Sequence, residues 1–207
     1  MKNRLTLIYS MRYPNAKINP NTPDNCNKAL KENHVRSLNY GDWERYEKLL
    51  KYYSGGRLLD AGCLNSPIGV EMKKKYPNSE IIALDHGQKL VDYFKALYPE
   101  VNYICSDIYK LPFEKESFDY VVAGEVLEHL DHPNQFIKEV CRVLKKGGTF
   151  AISTPLEEWN KEQGGEWHVN MFTFDELKMM FTKFVDVKLD TYKCGAAVDF
   201  ALVWGKK

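Results

Sequence analysis

The 207 residues suffice for one domain with a full core and are too few for two domains of ordinary size. Apolar residues at 44% and charged residues at 28% fit an ordinary globular chain, and 29 Lys plus Arg against 28 Asp plus Glu leave a net charge of +1, which excludes a global attraction to nucleic acid or anionic lipid. Five cysteines (Cys26, Cys63, Cys105, Cys141 and Cys194), an odd set without a Cys-x-x-Cys pair, argue for reduced thiols and a cytoplasmic setting.

In chain order, Met1 to Lys17 carries Lys2, Arg4, Arg12 and Lys17 and no acid, the composition of a solvated basic terminus. The run Leu5 to Tyr9 is too short for a signal-peptide core, and no stretch approaches the ~18 apolar residues of a membrane span, so no membrane association is expected. Pro14, Pro20 and Pro23 stand among several Asn between Tyr13 and Asn33, which favours turns. The chain is therefore divided into an N-terminal arm and loop-rich cover, 1–39, and a main domain, 40–207. Trp43, Tyr46, Leu49, Leu50 and Tyr53 lie on one face of a helix stopped by Gly55-Gly56.

Arg57 to Gly69 then reads as a strand, a tight turn and a helix start at Pro67. Ile68 and Met72 mark a helix ending near Pro77, Glu80 to Leu84 a buried strand, and Leu90, Tyr93, Phe94 and Leu97 an amphipathic helix. Val101 to Cys105 and Phe118 to Ala123 are further strands, and Phe136 to Leu144 forms a helix that Lys145, Lys146 and Gly147-Gly148 terminate before a strand over Thr149 to Ser153. Thr173 caps a helix running to about Phe181, and Phe184 to Tyr192 and Val198 to Trp204 form an antiparallel hairpin across a short link. Alternation of this kind predicts an α/β fold with a mostly parallel sheet covered on both faces and finished by an antiparallel C-terminal hairpin.

Three acids, Asp60, Asp85 and Asp107, fall at the ends of three successive strands, with Gly62 in the first turn. Such acids accept hydrogen bonds from ribose hydroxyls and from an adenine amino group, while the glycine lets backbone approach the ligand. The turn Gly62-Cys63-Leu64-Asn65-Ser66-Pro67 lacks the glycines that seat a pyrophosphate, which favours an adenosyl cofactor without phosphates over a dinucleotide.

On these residues the chain resembles the class I S-adenosylmethionine-dependent methyltransferases of type 11, over roughly residues 40 to 205. Leu-Leu-Asp60-Ala-Gly62-Cys63 is similar to the family's first motif, Ala-Leu-Asp85 to its ribose-binding acid and Ser-Asp107-Ile108 to its adenine segment. Phe118 to Leu130 is similar to its fourth-strand motif, and Val143 to Phe150 to its fifth-strand entry. The resemblance implies a Rossmann-like seven-stranded sheet, S-adenosylmethionine as methyl donor, and a cofactor site made of Asp60, Gly62, Cys63, Asp85, His86, Asp107, Ile108 and Gly124. Leu64 and Ser66 replace the family's usual glycines, and a Cβ there costs ~1 kcal/mol or more if the backbone is left-handed.

Methyl transfer from a sulfonium needs alignment and removal of a proton from the acceptor. Glu125, His129 and, from the later connection, His168 are the catalytic candidates, with Glu125 and His129 on one face if the segment is helical. Glu125, Glu128, His129 and His168 together resemble the set of metal-assisted O-methyltransferases and imply a site for a divalent cation, Mg²⁺, Mn²⁺ or Zn²⁺; the same motif also occurs in metal-free members. Trp43, Trp159 and Trp167 near the mouth suit a flat or sugar-like acceptor. The expected function is O-methylation of a small-molecule hydroxyl, with nucleic acid not the expected partner; N-methylation, metal-assisted RNA 2′-O-methylation and a non-catalytic methyltransferase-fold module are the alternatives.

Overall fold

The computed structural model describes residues 40–64, 66, 68–156, 168–193 and 199–207, with backbone alone for 40–43 and 199. The basic terminus and loop-rich front, Asn65, Pro67, Trp159, Trp167, residues 194–198 of the hairpin link and the side chain of Trp43 lie outside the described residues.

Short, fully apolar runs bounded by turn residues become the central strands because both faces of each are covered. β1 (Arg57–Ala61) pairs in parallel with β2 (Glu80–Asp85), and β2 with β3 (Asn102–Cys105). The chain then crosses back, and β4 (Phe118–Gly124) lies on the other side of β1, followed by β5 (Leu144–Pro155). β6 (Val185–Lys193) forms the outer edge, and β7 (Asp199–Lys206) inserts antiparallel between β5 and β6. The order β3-β2-β1-β4-β5-β7-β6 makes a seven-stranded, Rossmann-like sheet in which β7 alone runs against the rest. The crossover puts the loops after β1 and β4 side by side, which opens a ligand crevice at the carboxyl ends of these strands.

Alternation along β1 sends Leu58 to one face and Leu59 to the other, so two cores form. The first is closed by α1 (Tyr40–Leu49), α2 (Ile68–Lys75) and α3 (Gln88–Leu97), and the second by α4 (Pro133–Val143) and α5 (Phe174–Met180). On α4, Phe136, Ile137, Val140 and Val143 bury one stripe at helical spacing. Thr173 caps α5 as expected, in a capping box with Glu176.

Two local readings are corrected. The helix over Trp43 to Tyr53 ends at Leu49, because Trp204 Nε1 donates to the Lys48 carbonyl at 3.2 Å and the Tyr120 hydroxyl to the Leu49 carbonyl at 2.5 Å, satisfying carbonyls that another turn would have used. Lys145 to Gly148 belong to β5, which starts at Leu144: Lys207 N–H donates to the Gly148 carbonyl and Gly147 N–H to the Lys207 carbonyl, continuing the pairing. At the outer edge, β6 breaks register between Val185 and Lys188, with Asp186 at φ +53°. Among the described residues no helix is long and apolar enough to cross a membrane.

Candidate active site

The loop after β1 is tied down by backbone. Gly62 and Cys63 both donate N–H to the Leu84 carbonyl, at 2.8 and 2.9 Å. Gly62 has φ +75°, and a Cβ there would stand 2.7 Å from Val126 Cγ2, so the turn admits glycine alone. Leu64 is left-handed, at φ +40°, the strained conformation anticipated from the missing glycine. Its N–H donates to Asp85 Oδ2 at 2.8 Å, while Gly87 N–H reaches Asp85 Oδ1 at 3.1 Å. The Ser66 hydroxyl accepts Ile68 N–H at 3.1 Å at the start of α2.

Asp60 is 2% exposed and its Oδ2 has no hydrogen-bond partner. Burial pushes its carboxyl up to about 7, against the Ser66 hydroxyl, which lowers it, and with the neighbouring Asp85 adding to the rise. An orphaned buried carboxylate oxygen beside a backbone cradle that a Cβ would fill is the environment in which a hydroxyl-bearing, cationic adenosyl ligand fits.

The other expected cofactor residues sit around this turn. Cys63 is buried in the first core. His86 is half-buried with Nδ1 3.4 Å from Asp85 Oδ1. Asp107 is exposed, its Oδ1 accepting Tyr109 N–H at 2.8 Å in a local turn, and Ile108 packs on the second core. A Cβ added at Gly124 would meet Leu49, Ser153 and Tyr46 at ordinary contact distances.

The loop after β4 departs from the helical reading. Glu125 is left-handed, at φ +59°, and only Leu127–His129 form a single 3-10 turn, so Glu125 and His129 do not share a helix face. Glu125 Oε1 accepts the Ser153 hydroxyl at 2.8 Å, and Oε2 lies 3.6 Å from Arg45 Nη1. Burial pushes the Glu125 carboxyl up to about 8; Arg45 and Ser153 pull it down, Glu128 pushes it further up. Arg45 reaches in from α1, 5% exposed, its guanidinium carbon 5.2 Å from the Tyr46 ring centre and 5.3 Å from that of Phe200.

Glu128 is fully buried, Oε2 accepting the Thr154 hydroxyl at 3.0 Å, and burial raises its carboxyl to about 7. The His129 and His168 rings meet edge to face, with centres 4.9 Å apart. Burial, aided by the charge of His129, lowers His168 to about 4, so its imidazole is neutral near pH 7. One ligand atom each from Glu128, His129 and His168 lies within 4.8 Å of the others, the one such group among the described residues. Glu125, expected in the same group, is turned to Ser153 and Arg45 instead.

Arg45, Ser153 and Thr154 were not singled out from the sequence. Arg45 stands four residues before Leu49 on the apolar face of α1, a charge where a core residue belongs, and that was the available signal. Ser153 and Thr154 are buried polar residues ending an apolar strand.

The six-plus-one sheet, with acids at its carboxyl ends and a glycine turn at the switch point, has the Rossmann-like form in which ligands bind beyond the strand ends. Residues 59–152 match the family model described as a methyltransferase domain. It is 34% identical over 110 residues to a Mycolicibacterium smegmatis protein named "Probable S-adenosylmethionine-dependent methyltransferase", covering 53% of this chain and 42% of that one. It is 29% identical over 125 residues to the malonyl-[acyl-carrier protein] O-methyltransferase of Hahella chejuensis, covering 56% of this chain and 44% of the relative. The chain thus spans less than half the length of these relatives. Its fold is similar to that of geranyl diphosphate C-methyltransferase from Streptomyces coelicolor, with a TM-score of 0.68 at 14% identity over 80% of this chain and 76% of that one.

Proposed function

We propose that the chain transfers the methyl group of S-adenosylmethionine to a hydroxyl oxygen of a small-molecule acceptor. The observation that carries this reading is the His168 imidazole packed on His129 in the loop after β4, with the orphaned buried Asp60 carboxylate oxygen at the end of the neighbouring β1. The sulfonium supplies the electrophilic methyl, and the protein's part is alignment and proton removal. Asp60, Gly62 and Asp85 hold and orient the adenosyl end, with Cys63, His86, Asp107, Ile108 and Gly124 lining it. His168 accepts the acceptor's hydroxyl proton, and His129 orients His168. The named O-methyltransferase activity of the Hahella relative supports oxygen as the acceptor atom.

As the alternative to a histidine base, Glu128, His129 and His168 would hold a divalent cation such as Mg²⁺, Mn²⁺ or Zn²⁺ through one carboxylate and two imidazoles, with His168 then a ligand and not the base. Such a cation would supply Lewis acidity that makes an acceptor hydroxyl easier to deprotonate. Residues 40–207 form the catalytic unit in this reading, with 1–39 as its cover.

The test is calorimetric titration with S-adenosylmethionine, followed by S-adenosylhomocysteine release from a panel of diols, sugars and catechols with and without a chelator. Release with a hydroxyl acceptor is expected. Binding without release for the whole panel would favour a non-catalytic platform, and absence of binding would overturn the reading.

A further inference from the structure

The segment 168–172 meets the 3-10 turn that carries Glu128 and His129, and Asn170 gives this junction three hydrogen bonds. Asn170 N–H donates to the Glu128 carbonyl at 3.1 Å. Its side-chain amide donates to the Leu127 carbonyl at 3.2 Å and to the Leu130 carbonyl. The Leu127 carbonyl already accepts Leu130 N–H at 3.3 Å, and the amide NH₂, with two donors, adds a second bond there and reaches the Leu130 carbonyl just past the turn. The flanking Val169 and Met171 are each 49% exposed, whereas Phe172 is buried and bridges Leu156.

We infer that Asn170 is the positioning residue that docks His168 onto His129, the amide group and not the size of the side chain being what the site needs. The period of an extended segment explains the arrangement. His168, Asn170 and Phe172 face inward, and a slip of one residue would present Val169 in place of His168. The three bonds of Asn170 set that register within two residues of the imidazole. Asp at this position would keep the shape but aim an acceptor at two carbonyl acceptors. The inference deepens the reading of the two histidines as the acceptor side of the site, yet its geometry can be measured without turnover.

The experiment uses the full chain with isotope-labelled histidine, the ring signals assigned with His129→Gln and His168→Gln. In the unaltered chain a ring-to-ring Overhauser cross-peak between His129 and His168 is expected. Asn170→Asp and Asn170→Ala should lower its intensity more than threefold while the amide spectrum stays dispersed, and Val169→Ala should leave it unchanged. Should the alanine variant fail to fold, Asn170→Ser, which keeps one donor, should still lower the peak at least twofold. A cross-peak of unchanged intensity in the aspartate or serine variant, or none in the unaltered chain, overturns the inference. Dependence of the peak on Asn170 in a chain that releases no S-adenosylhomocysteine would keep the inference and remove the proposed activity.

Discussion

Arg45 Nη1 stands 3.6 Å from Glu125 Oε2, with the two side chains 6% and 9% exposed, so a buried guanidinium–carboxyl contact joins α1 to the end of β4 across 80 residues of sequence. Removing one partner of a buried pair leaves the other charge unsolvated. Arg45→Met is expected to destabilise the chain by about 2–3 kcal/mol, offset in part because Glu125 can take up a proton. In urea unfolding, Glu125→Gln should recover at least about 1 kcal/mol of that loss as a coupling energy. Strictly additive losses would show that the two groups do not interact.

Asp60 makes stability depend on pH in an unusual direction. Its folded-state pKa, near 7, lies above the unfolded value of 3.8, so between these values the folded chain binds the extra proton. The sign follows directly: its contribution is most favourable below about pH 4 and is lost as pH rises to about 7, by at most about 4 kcal/mol. Asp60→Asn should remove this slope. The difference in urea stability between variant and unaltered chain, followed from pH 4 to 8, should therefore grow in the variant's favour, and a constant difference would contradict the assignment.

Asp85→Ala should weaken S-adenosylmethionine binding by about 1–3 kcal/mol in calorimetry, through lost acceptors for the ribose hydroxyls. The same change leaves the Leu64 and Gly87 amides without their acceptor, so the melting temperature should fall as well. An unchanged dissociation constant would remove Asp85 from the cofactor site.

Gly62→Ala puts a methyl group 2.7 Å from Val126 Cγ2 at a φ of +75°. A loss of about 2 kcal/mol in unfolding free energy is expected, part steric and part backbone. Adding Val126→Ala should relieve only the steric part. Full recovery by the second substitution would mean that the backbone conformation carries no penalty.

Much of this framework was readable in advance. Leu58-Leu59, Ile81-Ile82 and Val121-Val122 are apolar pairs bounded by turn residues, so the strands and the acids that follow them are legible in the sequence. The hairpin of β6 and β7 followed from the short link between them. What was not readable depended on distant contacts. The left-handed turn at Glu125 breaks the Glu-Val-Leu-Glu-His pattern that suggests one helical face, and it is held by Ser153 on the next strand. Which carboxylate joins the histidines was likewise set by Thr154 and Arg45, far from either in sequence. Leu64 was half legible: the missing glycine announced a strain, and the torsion angle located it.

The break in β6 bears on how the molecule behaves when crowded. With Asp186 reversed and Val185 out of register with Lys188, the outermost ribbon presents a bent rim bearing charges of both signs instead of a straight row of amides and carbonyls. A neighbour seeking to extend the sheet sideways would find no continuous template there, and lateral growth into fibrils would have to begin at the opposite rim, where Asn102 to Cys105 offer only four residues.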